Sequence, residues 1–231
     1  MKQLIFSLIL FATVRLQAQT CENFYFFKPG AIVETSLFDK KGKPDGKTVC
    51  KVGSVETTSN GKKASFTNSI LSTSGKKQTE IKGTAQCQEG TLMLDLRNFV
   101  NEDQMKAFKD MEIRSAEAYL EYPSLMTVGA ALPDGIFHMD VFNQGNSFGS
   151  VDVSVKNRKV VGKEEVTSSA GTWVCYKITY TSIVKTMMMG IGFPVEMQVT
   201  EWYAPGFGVF KTETYSSAGK LMGSSLVTAV K

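Results

Sequence analysis

Few residues in this sequence have the type and position that chemistry requires, and Glu201 is the first of them. It opens the stretch EWYAPGFGVFK at residues 201–211. The strand that leads into this stretch, from Val195 to Tyr203, alternates apolar and polar side chains as in a half-buried strand. The alternation places Glu201 on the apolar face together with Tyr203. A carboxylate there must find hydrogen-bond donors or shift its pKa. It is either a site residue that receives a polar ligand group, or a structural anchor that accepts backbone N–H groups of the turn at 205–208.

Other catalytic arrangements have little support. His138 is the only histidine; it is predicted on the wetter face of its strand, and nothing brings it to Cys50 or Cys175 for a Cys–His dyad. No serine lies in a Gly-x-Ser-x-Gly motif, and no group of His, Cys and Asp residues has the spacing of a metal site. These patterns predict no catalytic residue, no metal and no cofactor.

Paired carboxylates are the one reaction type that the acidic residues could serve. Glu201 with Asp140 or Glu196 would supply the two carboxyl groups of a glycoside hydrolase if both lay in one cleft. Almost all of the 22 acidic residues lie on predicted turns or polar strand faces. We therefore predict that the protein is not an enzyme, and we keep a carboxylate-dependent hydrolase as an alternative.

The four cysteines, Cys21, Cys50, Cys87 and Cys175, allow three disulfide connectivities. Their spacings match no zinc ribbon and include no CxxC redox pair. We favour a bridge between Cys21 and Cys87, because Cys87 lies on the apolar side of its strand and Cys21 lies at the predicted mature N-terminus. The other two cysteines are then buried thiols.

The first residues have the pattern of a secretion signal. Lys2 precedes an apolar run at residues 4–14, and Ala18 is a small residue at a plausible cleavage point. We predict a signal peptide at 1–18 and a single β-rich domain at 19–231, located in the periplasm or outside the cell. The run is too short to span a bilayer, and no other stretch is a transmembrane candidate. A lipid anchor on Cys21 is less favoured, because Thr20 precedes it.

Composition narrows the possible partners. The 26 Lys and Arg residues against 22 Asp and Glu residues give a formal net charge of +4, with no basic block. Removal of Lys2 and Arg15 with the predicted signal peptide leaves 24 against 22, a mature charge of +2. This balance argues against nucleic acid as a partner. Hydrophobic residues make up 42% of the chain, enough for a real core, so disorder is not expected. We expect a monomer.

The pattern along the chain is that of a β meander. Apolar residues alternate with polar ones in segment after segment, and the turns between them repeat a Gly-Lys theme, as at Gly42-Lys43 and Gly219-Lys220. Short strands are predicted at 151–155 and 159–161, with Asn157-Arg158 as punctuation. About eleven to thirteen short strands favour a mainly β fold, namely a large curved antiparallel sheet or open half-barrel.

In one segment the spacing of the apolar residues changes from that of a strand to that of a helix. Residues 101–104 have the composition of a helix N-terminus, and Met105, Phe108 and Met111 follow at helical spacing. We predict an amphipathic helix at about 101–113. It either fills the open end of the sheet as core or covers a ligand cavity.

Methionine and aromatic residues cluster near residues 187–210, and concave β sheets use such surfaces for apolar ligands. Our first hypothesis is an exported, non-enzymatic binding or carrier protein for a lipid or other amphipathic molecule. The alternative is a structural or protein-interaction module of the cell envelope, with exposed strand edges or Trp202 contacting a partner. The predicted ligand-binding residues are Met105, Phe108, Met187, Met189, Phe193, Met197, Glu201, Trp202, Tyr203 and Phe207.

Several motifs occur in a familiar order: an aromatic segment that starts at Cys21, DKKGKxxGK at 39–47, AGTWVCYKI at 170–178, EWYAPGFGVFK at 201–211 and GKLMG at 219–223. With these motifs the chain resembles the TapB family, secreted β-rich bacterial proteins, over nearly all of its mature length. Cys50 departs from the usual pattern. The resemblance implies a curved antiparallel sheet similar to the half-barrels of Lol-type lipoprotein carriers, and it implies no catalytic residue.

Overall fold

The computed structural model describes residues 20–99, 111–188 and 190–231. These residues form one open antiparallel sheet of thirteen strands, which confirms the predicted mainly β fold. The strands are β1 (Ile32–Asp39), β2 (Pro44–Thr58), β3 (Gly61–Leu71), β4 (Lys77–Gln88), β5 (Thr91–Asp95), β6 (Glu112–Ser115), β7 (Tyr119–Tyr122), β8 (Gly135–Asn143), β9 (Asn146–Ser168), β10 (Gly171–Met188), β11 (Ile191–Ala204), β12 (Gly208–Ser216) and β13 (Leu221–Val230). Three short 3₁₀ helices span Cys21–Asn23, Tyr25–Phe27 and Leu96–Phe99.

The sheet consists of two meanders that meet in its middle. Its order is β6-β8-β9-β10-β11-β12-β13-β1-β2-β3-β4-β5-β7, so β13 pairs with β1 and the edges are β6 and β7. Hairpin turns connect most neighbouring strands, as the Gly-rich turns predict. At the β2–β3 turn, Gly61 has φ +153°, and a Cβ there would lie 1.9 Å from the carbonyl oxygen of Cys87, so no larger residue fits.

Strand β9 is longer than predicted. A single strand, Asn146–Ser168, spans the region where the sequence predicts short strands at 151–155 and 159–161, so that prediction is wrong. Asn157 takes a left-handed conformation with φ +59°, and the β9–β10 register shifts around it. Asn tolerates this conformation better than most residues. The predicted punctuation is therefore a β-bulge inside one strand, not the end of a strand.

The predicted helix at 101–113 lies mostly outside the described residues. Its last part is described, and it is not helical: Glu112 opens strand β6, which pairs with β8. The end of the predicted helix is therefore wrong, because the strand pairing at 112–115 takes the backbone hydrogen bonds that the helix would need. The predicted signal peptide at 1–18 also lies outside the described residues. Among the described residues, no helix has the length and hydropathy needed to cross a membrane.

The buried core lies on one face of the sheet. Across this face Tyr122 of the edge strand β7 stacks on Tyr203 of β11, which is far from β7 in the sheet order, so the sheet curves and this face is concave. At one end of this face lie the turns β2–β3, β4–β5, β9–β10 and β11–β12, together with the residues before β1. Phe24, Phe26 and Phe27 are buried there, and the Phe26 ring lies 5.2 Å from that of Phe66. We call this region, with its cover of residues 21–27, the aromatic end.

A disulfide fastens the cover of the aromatic end. Cys21 and Cys87 form the bridge, which confirms the favoured pairing. Cys50 and Cys175 are free thiols and both are buried, as predicted. The bridge joins the residues before β1 to strand β4, so it keeps the aromatic side chains of residues 24–27 on the core.

Candidate functional site

Glu201 lies at the centre of the molecule, and tyrosine hydroxyls are its donors. It projects from β11 and is only 4% exposed. The Tyr180 hydroxyl donates to one carboxylate oxygen at 2.6 Å, and the Tyr122 hydroxyl donates to the other at 2.9 Å. The predicted backbone donors of the 205–208 turn are not used. This correction has a simple reason: Tyr180 on the paired strand β10 and Tyr122 on the distant strand β7 both face the same concave side.

Burial and a neighbouring cation act in opposite directions on this carboxyl. Burial raises the pKa of Glu201 above its usual range, while the tyrosine hydrogen bonds and the charge of Arg158 lower it. The guanidinium of Arg158 lies 4.8 Å from the centre of the Tyr122 ring. On the same ring, Tyr203 stacks at 4.9 Å. A fully buried acid, three tyrosines and an arginine therefore form one contiguous polar cluster within an apolar core.

Arg158 on β9 also links the edge strand β7 to the segment before β8. Its Nη1 donates to the backbone carbonyl of Glu121 on β7 at 2.7 Å and to that of Pro133, just before β8, at 2.8 Å. It is 1% exposed. Sequence reasoning missed this residue, because Asn157-Arg158 reads as a turn. Only the bulge at Asn157 rotates the arginine toward the core.

Trp202 lies on the opposite, convex face of β11 and is covered by side chains. It is 4% exposed. The ammonium groups of Lys211 and Lys177 lie 4.1 and 4.9 Å from its ring, and its indole N–H donates to Glu164. Cation–π contacts of this kind hold the indole under the lysines. Trp202 is therefore not available as the exposed contact that the interaction hypothesis assigns to it.

Tyr203 and Phe207 belong to the packed core of the aromatic end. Tyr203 is fully buried, and Phe207 is 7% exposed. The Phe207 ring lies 5.0 Å from the ring of Tyr25 and 5.4 Å from that of Trp173. The structure thus gathers Glu201, Tyr203 and Phe207 on the core side, but as packed side chains. Their contact with a ligand stays a prediction.

Of the remaining predicted ligand-binding residues, Met187 and Met197 are described, and they lie toward the other end of β10 and β11. Met187 and Met197 are half-buried, and Met197 packs against the core. Met105, Phe108 and Met189 lie outside the described residues, and so does the side chain of Phe193. Strand register places residue 193 opposite Thr186.

Part of the concave face is only half-buried. Cross-strand pairs continue the row of Glu201 through Thr212 and Ser225 to Leu37. A second row runs from Thr35 through Thr48 to Ile70. We call these two rows the open concave surface. Its half-buried side chains are Thr35, Leu37, Thr48, Ile70, Thr212 and Ser225. They combine hydroxyls with aliphatic groups, in contrast to the methionines and aromatics predicted from the sequence.

The residues considered for hydrolysis do not converge. Asp140 lies between buried Met139 and Val141 and so faces the convex side. Glu196 lies five residues before Glu201 on β11, so strand alternation places the two on opposite faces. Asp140 lies beside His138, whose other ring nitrogen lies 2.7 Å from Asp152. The hydrogen bond to Asp152 is the main reason that the pKa of His138 is raised. Among the described residues, no three of His, Cys, Asp and Glu are placed to hold a metal ion.

Two solved structures share this architecture. One is described as a "putative exported protein with YmcC-like fold" from Bacteroides fragilis: TM-score 0.70, 20% identity, covering 90% of this chain and 98% of that chain. The other is described as a "putative lipoprotein" from Parabacteroides distasonis: TM-score 0.71, 21% identity, covering 90% and 99%. At these identities the likeness shows the fold alone.

Sequence comparison gives a family. The model of the family described as DUF3108-like matches residues 28–227, which include every strand from β1 to β12 and most of β13. None of the curated proteins matches the chain significantly.

Proposed function

The chain belongs to the DUF3108-like family, and on this premise we propose that it is an exported protein that binds a lipid or other amphipathic molecule without chemistry. The observation that carries the proposal is the division of the concave face. The aromatic end is packed solid, while the open concave surface keeps half-buried side chains beside it. Within the broader family we retain the TapB assignment as part of this proposal.

The chemistry of the open concave surface suits an amphipathic ligand. Thr35, Thr48 and Thr212 offer hydroxyl donors and acceptors, while Leu37 and Ile70 offer apolar contact. Binding sites commonly combine apolar walls with a few polar groups that orient the ligand. The first row of this surface continues the row of Glu201 through Thr212, so the buried polar cluster lies next to it and forms its inner wall.

The polar cluster itself supports a structural role better than a catalytic one. Both oxygens of Glu201 accept tyrosine hydrogen bonds, and the carboxyl is shielded from solvent. A general acid or base has to reach its substrate within hydrogen-bond distance. We therefore assign Glu201 to the positioning of Tyr122 and Tyr180, and so to the shape of the wall.

Export fits the relatives in fold, which are described as exported protein and lipoprotein. In the oxidised chain the sulfur of Cys21 is bonded to Cys87. One sulfur cannot form both this bond and the thioether of a lipoprotein. The proposal is thus a binding protein that acts without an anchor at Cys21 when that disulfide is present.

Native mass spectrometry tests the proposal most directly. Mature protein purified from the periplasm should carry an amphipathic molecule that organic extraction releases and lipid analysis identifies. Displacement of a fluorescent fatty acid gives the affinity. Ile70→Glu, on the open concave surface, should weaken binding about tenfold or more, because it places a charge in apolar contact.

The neighbouring residue provides a matched control. Leu71 is also half-buried but faces the convex side, where it pairs with Lys47. Leu71→Glu should cost similar stability and leave binding unchanged. A clean apo mass with no uptake of the fluorescent fatty acid would refute the proposal. Equal loss of fatty-acid binding in both variants would show that the ligand does not bind at the open concave surface.

A further inference from the structure

The turns at the end of the sheet opposite the aromatic end form one rim. The composition of this rim differs from that of the aromatic end. Strand direction brings together the β1–β2, β3–β4, β8–β9, β10–β11 and β12–β13 turns. We call this edge the basic rim, because exposed lysines lie in three of its turns. They are Lys40, Lys41, Lys43, Lys76, Lys77 and Lys220.

Three acidic residues, Asp39, Asp45 and Glu80, offset half of the charge of these six lysines. Asp39 accepts hydrogen bonds from the backbone N–H groups of Lys41 and Lys43 at 2.8 and 2.9 Å, so its carboxylate is directed into its own turn. Lys77 forms an ion pair with Glu80. Asp45 is the other acid near the first turn. The rim therefore keeps a net positive charge, whereas Glu22 and Glu89 lie at the aromatic end.

The β10–β11 hairpin extends the rim with an apolar tip. Strand β12 pairs with β11 only from Met197 onward, so residues 191–196 continue past the end of β12. Residues 186–195 carry no charged side chain. Ile191 is 61% exposed and Val195 is 47% exposed. Large apolar side chains that project together from a rim are a feature of interaction surfaces.

A second apolar group lies on the same rim. Met222, two residues after Lys220, is 49% exposed. The β8–β9 turn, Asn-Gln-Gly-Asn at 143–146, is exposed and uncharged. Lys185 lies exposed at the base of the hairpin, opposite Pro194. The rim thus presents an uncharged projection flanked by lysines.

We propose that the basic rim is a membrane-docking surface that binds the anionic face of a lipid bilayer. The hairpin tip at Ile191 and Val195 enters the interfacial region, and the lysine turns contact lipid phosphates. Apolar insertion and lysine attraction are the two signals that reversible membrane binding combines. This inference rests on the proposed function, because a carrier of amphipathic molecules has to meet the bilayer that supplies or receives them.

The position of the open concave surface relative to the basic rim explains how membrane docking would serve ligand transfer. The open concave surface lies on strands β1, β2, β3, β12 and β13, whose turns at one end form the basic rim. A ligand leaving the bilayer at the rim would meet this surface without crossing the packed aromatic end. Docking by the rim therefore places the entrance of the concave face against the lipid.

Co-sedimentation with vesicles tests the inference. The mature protein should bind vesicles of phosphatidylglycerol and phosphatidylcholine and bind pure phosphatidylcholine at least about tenfold more weakly, with the difference reduced by salt. Ile191→Asp should weaken binding about tenfold or more, because it places a charge at the inserting tip. Ile136→Asp is the matched control, since Ile136 is 69% exposed but lies at the start of β8, away from the rim.

The lysines are tested separately. The triple variant Lys40→Gln, Lys41→Gln, Lys43→Gln should weaken binding to the anionic vesicles about tenfold or more. A second triple variant, Lys28→Gln, Lys51→Gln, Lys159→Gln, removes the same charge from exposed positions elsewhere and should bind within about twofold of the unmodified protein. All substituted side chains are exposed, and circular dichroism checks that the fold is retained.

The outcomes separate the inference from the proposed function. The inference is overturned if the unmodified protein does not bind anionic vesicles. It is also overturned if Ile191→Asp and the rim lysine variant bind these vesicles as strongly as their control variants do. Displacement of the fluorescent fatty acid in the absence of vesicles should be the same in all of these variants. Vesicle binding lost at the rim with fatty-acid binding retained supports membrane docking by the rim.

Discussion

The two ends of the sheet are made of the same kind of hairpins but differ in what covers them. At the aromatic end, residues 21–27 fill the concave face and a disulfide holds them there. At the basic rim, Ile191 and Met222 stay exposed beside exposed lysine turns. One end gains stability from burial, and the other leaves apolar groups exposed. Stability that is concentrated in one part of a fold frees another part to interact.

The largest expected effect is a difference in the free energy of unfolding when one apolar side chain is truncated at each end of the sheet. Phe207→Ala at the aromatic end should lower the free energy of unfolding by about 3–5 kcal/mol, because it removes a ring packed against Tyr25 and Trp173. Ile191→Ala at the basic rim should change it by less than about 0.5 kcal/mol, since the side chain is mostly exposed. Urea unfolding of both variants measures the difference. Similar values for the two would contradict the division of the sheet.

The next effect concerns how the cover is held. Cys87→Ser removes the bridge to Cys21 and should lower the free energy of unfolding by about 2–4 kcal/mol. Cys175→Ser, at a buried free thiol, is the control and should cost less. Hydrogen exchange should then show faster exchange at residues 24–27 in Cys87→Ser than in the control. Unchanged protection there would mean that packing alone retains the cover.

A smaller effect depends on pH and comes from Glu201, the acid between the two ends. Burial raises its folded-state pKa, so the stability that it contributes is fully present below the ordinary glutamate value of 4.5. That contribution is lost as pH rises through the raised value. The unmodified protein should therefore lose stability relative to Glu201→Gln between about pH 4 and about pH 8. Chemical unfolding at both pH values measures this, and a difference that grows in the opposite direction would show that tyrosine and arginine contacts outweigh burial.

The smallest effect is the pH-dependent contribution of Glu34 to stability. Glu34 lies on β1, which pairs with β13 where the two meanders meet. Hydrogen bonds from Lys231 and Lys47 lower the pKa of Glu34 to about 2. Its contribution is present above 4.5 and is lost as pH falls toward 2. Glu34→Gln should cost less than about 1 kcal/mol at neutral pH, because its lysine partners are exposed, and this cost should decrease as pH falls toward 2. Thermal melts of both proteins over this range provide the measurement; a constant difference would mean that the ion pairs contribute nothing.

Local patterns in the sequence were enough to predict the sheet. Alternation and Gly turns predicted antiparallel strands, and the position of Cys87 on its apolar face predicted the disulfide. The same alternation identified Glu201 as an acid on the apolar side. Strand alternation and turns depend on neighbours within a few residues, so they are visible in the sequence. The disulfide joins cysteines 66 residues apart, and its prediction rests on the expected location of both cysteines.

The site depends on partners that are distant in the chain. Tyr122 is 79 residues from Glu201, and no local pattern pairs them. The burial of Trp202 depends on lysines of the two adjacent strands. Arg158 reaches the core only through a bulge that reads as a turn. These contacts depend on the strand register and on the curvature of the sheet, and neither can be derived from the periodicity of the sequence.

The pairing of β1 with β13 has a consequence for the order of folding. Ser36 and Thr228, whose hydroxyls meet across this pair, are 192 residues apart in the chain. Each meander can assemble from contacts between consecutive strands, but the ladder between them closes a very long loop, and contacts of high sequence separation form slowly. We expect the two halves to acquire structure first and the β1–β13 seam to form last. Pulse-labelled hydrogen exchange during refolding would show this as late protection of β1 and β13, and early protection there would reverse the order.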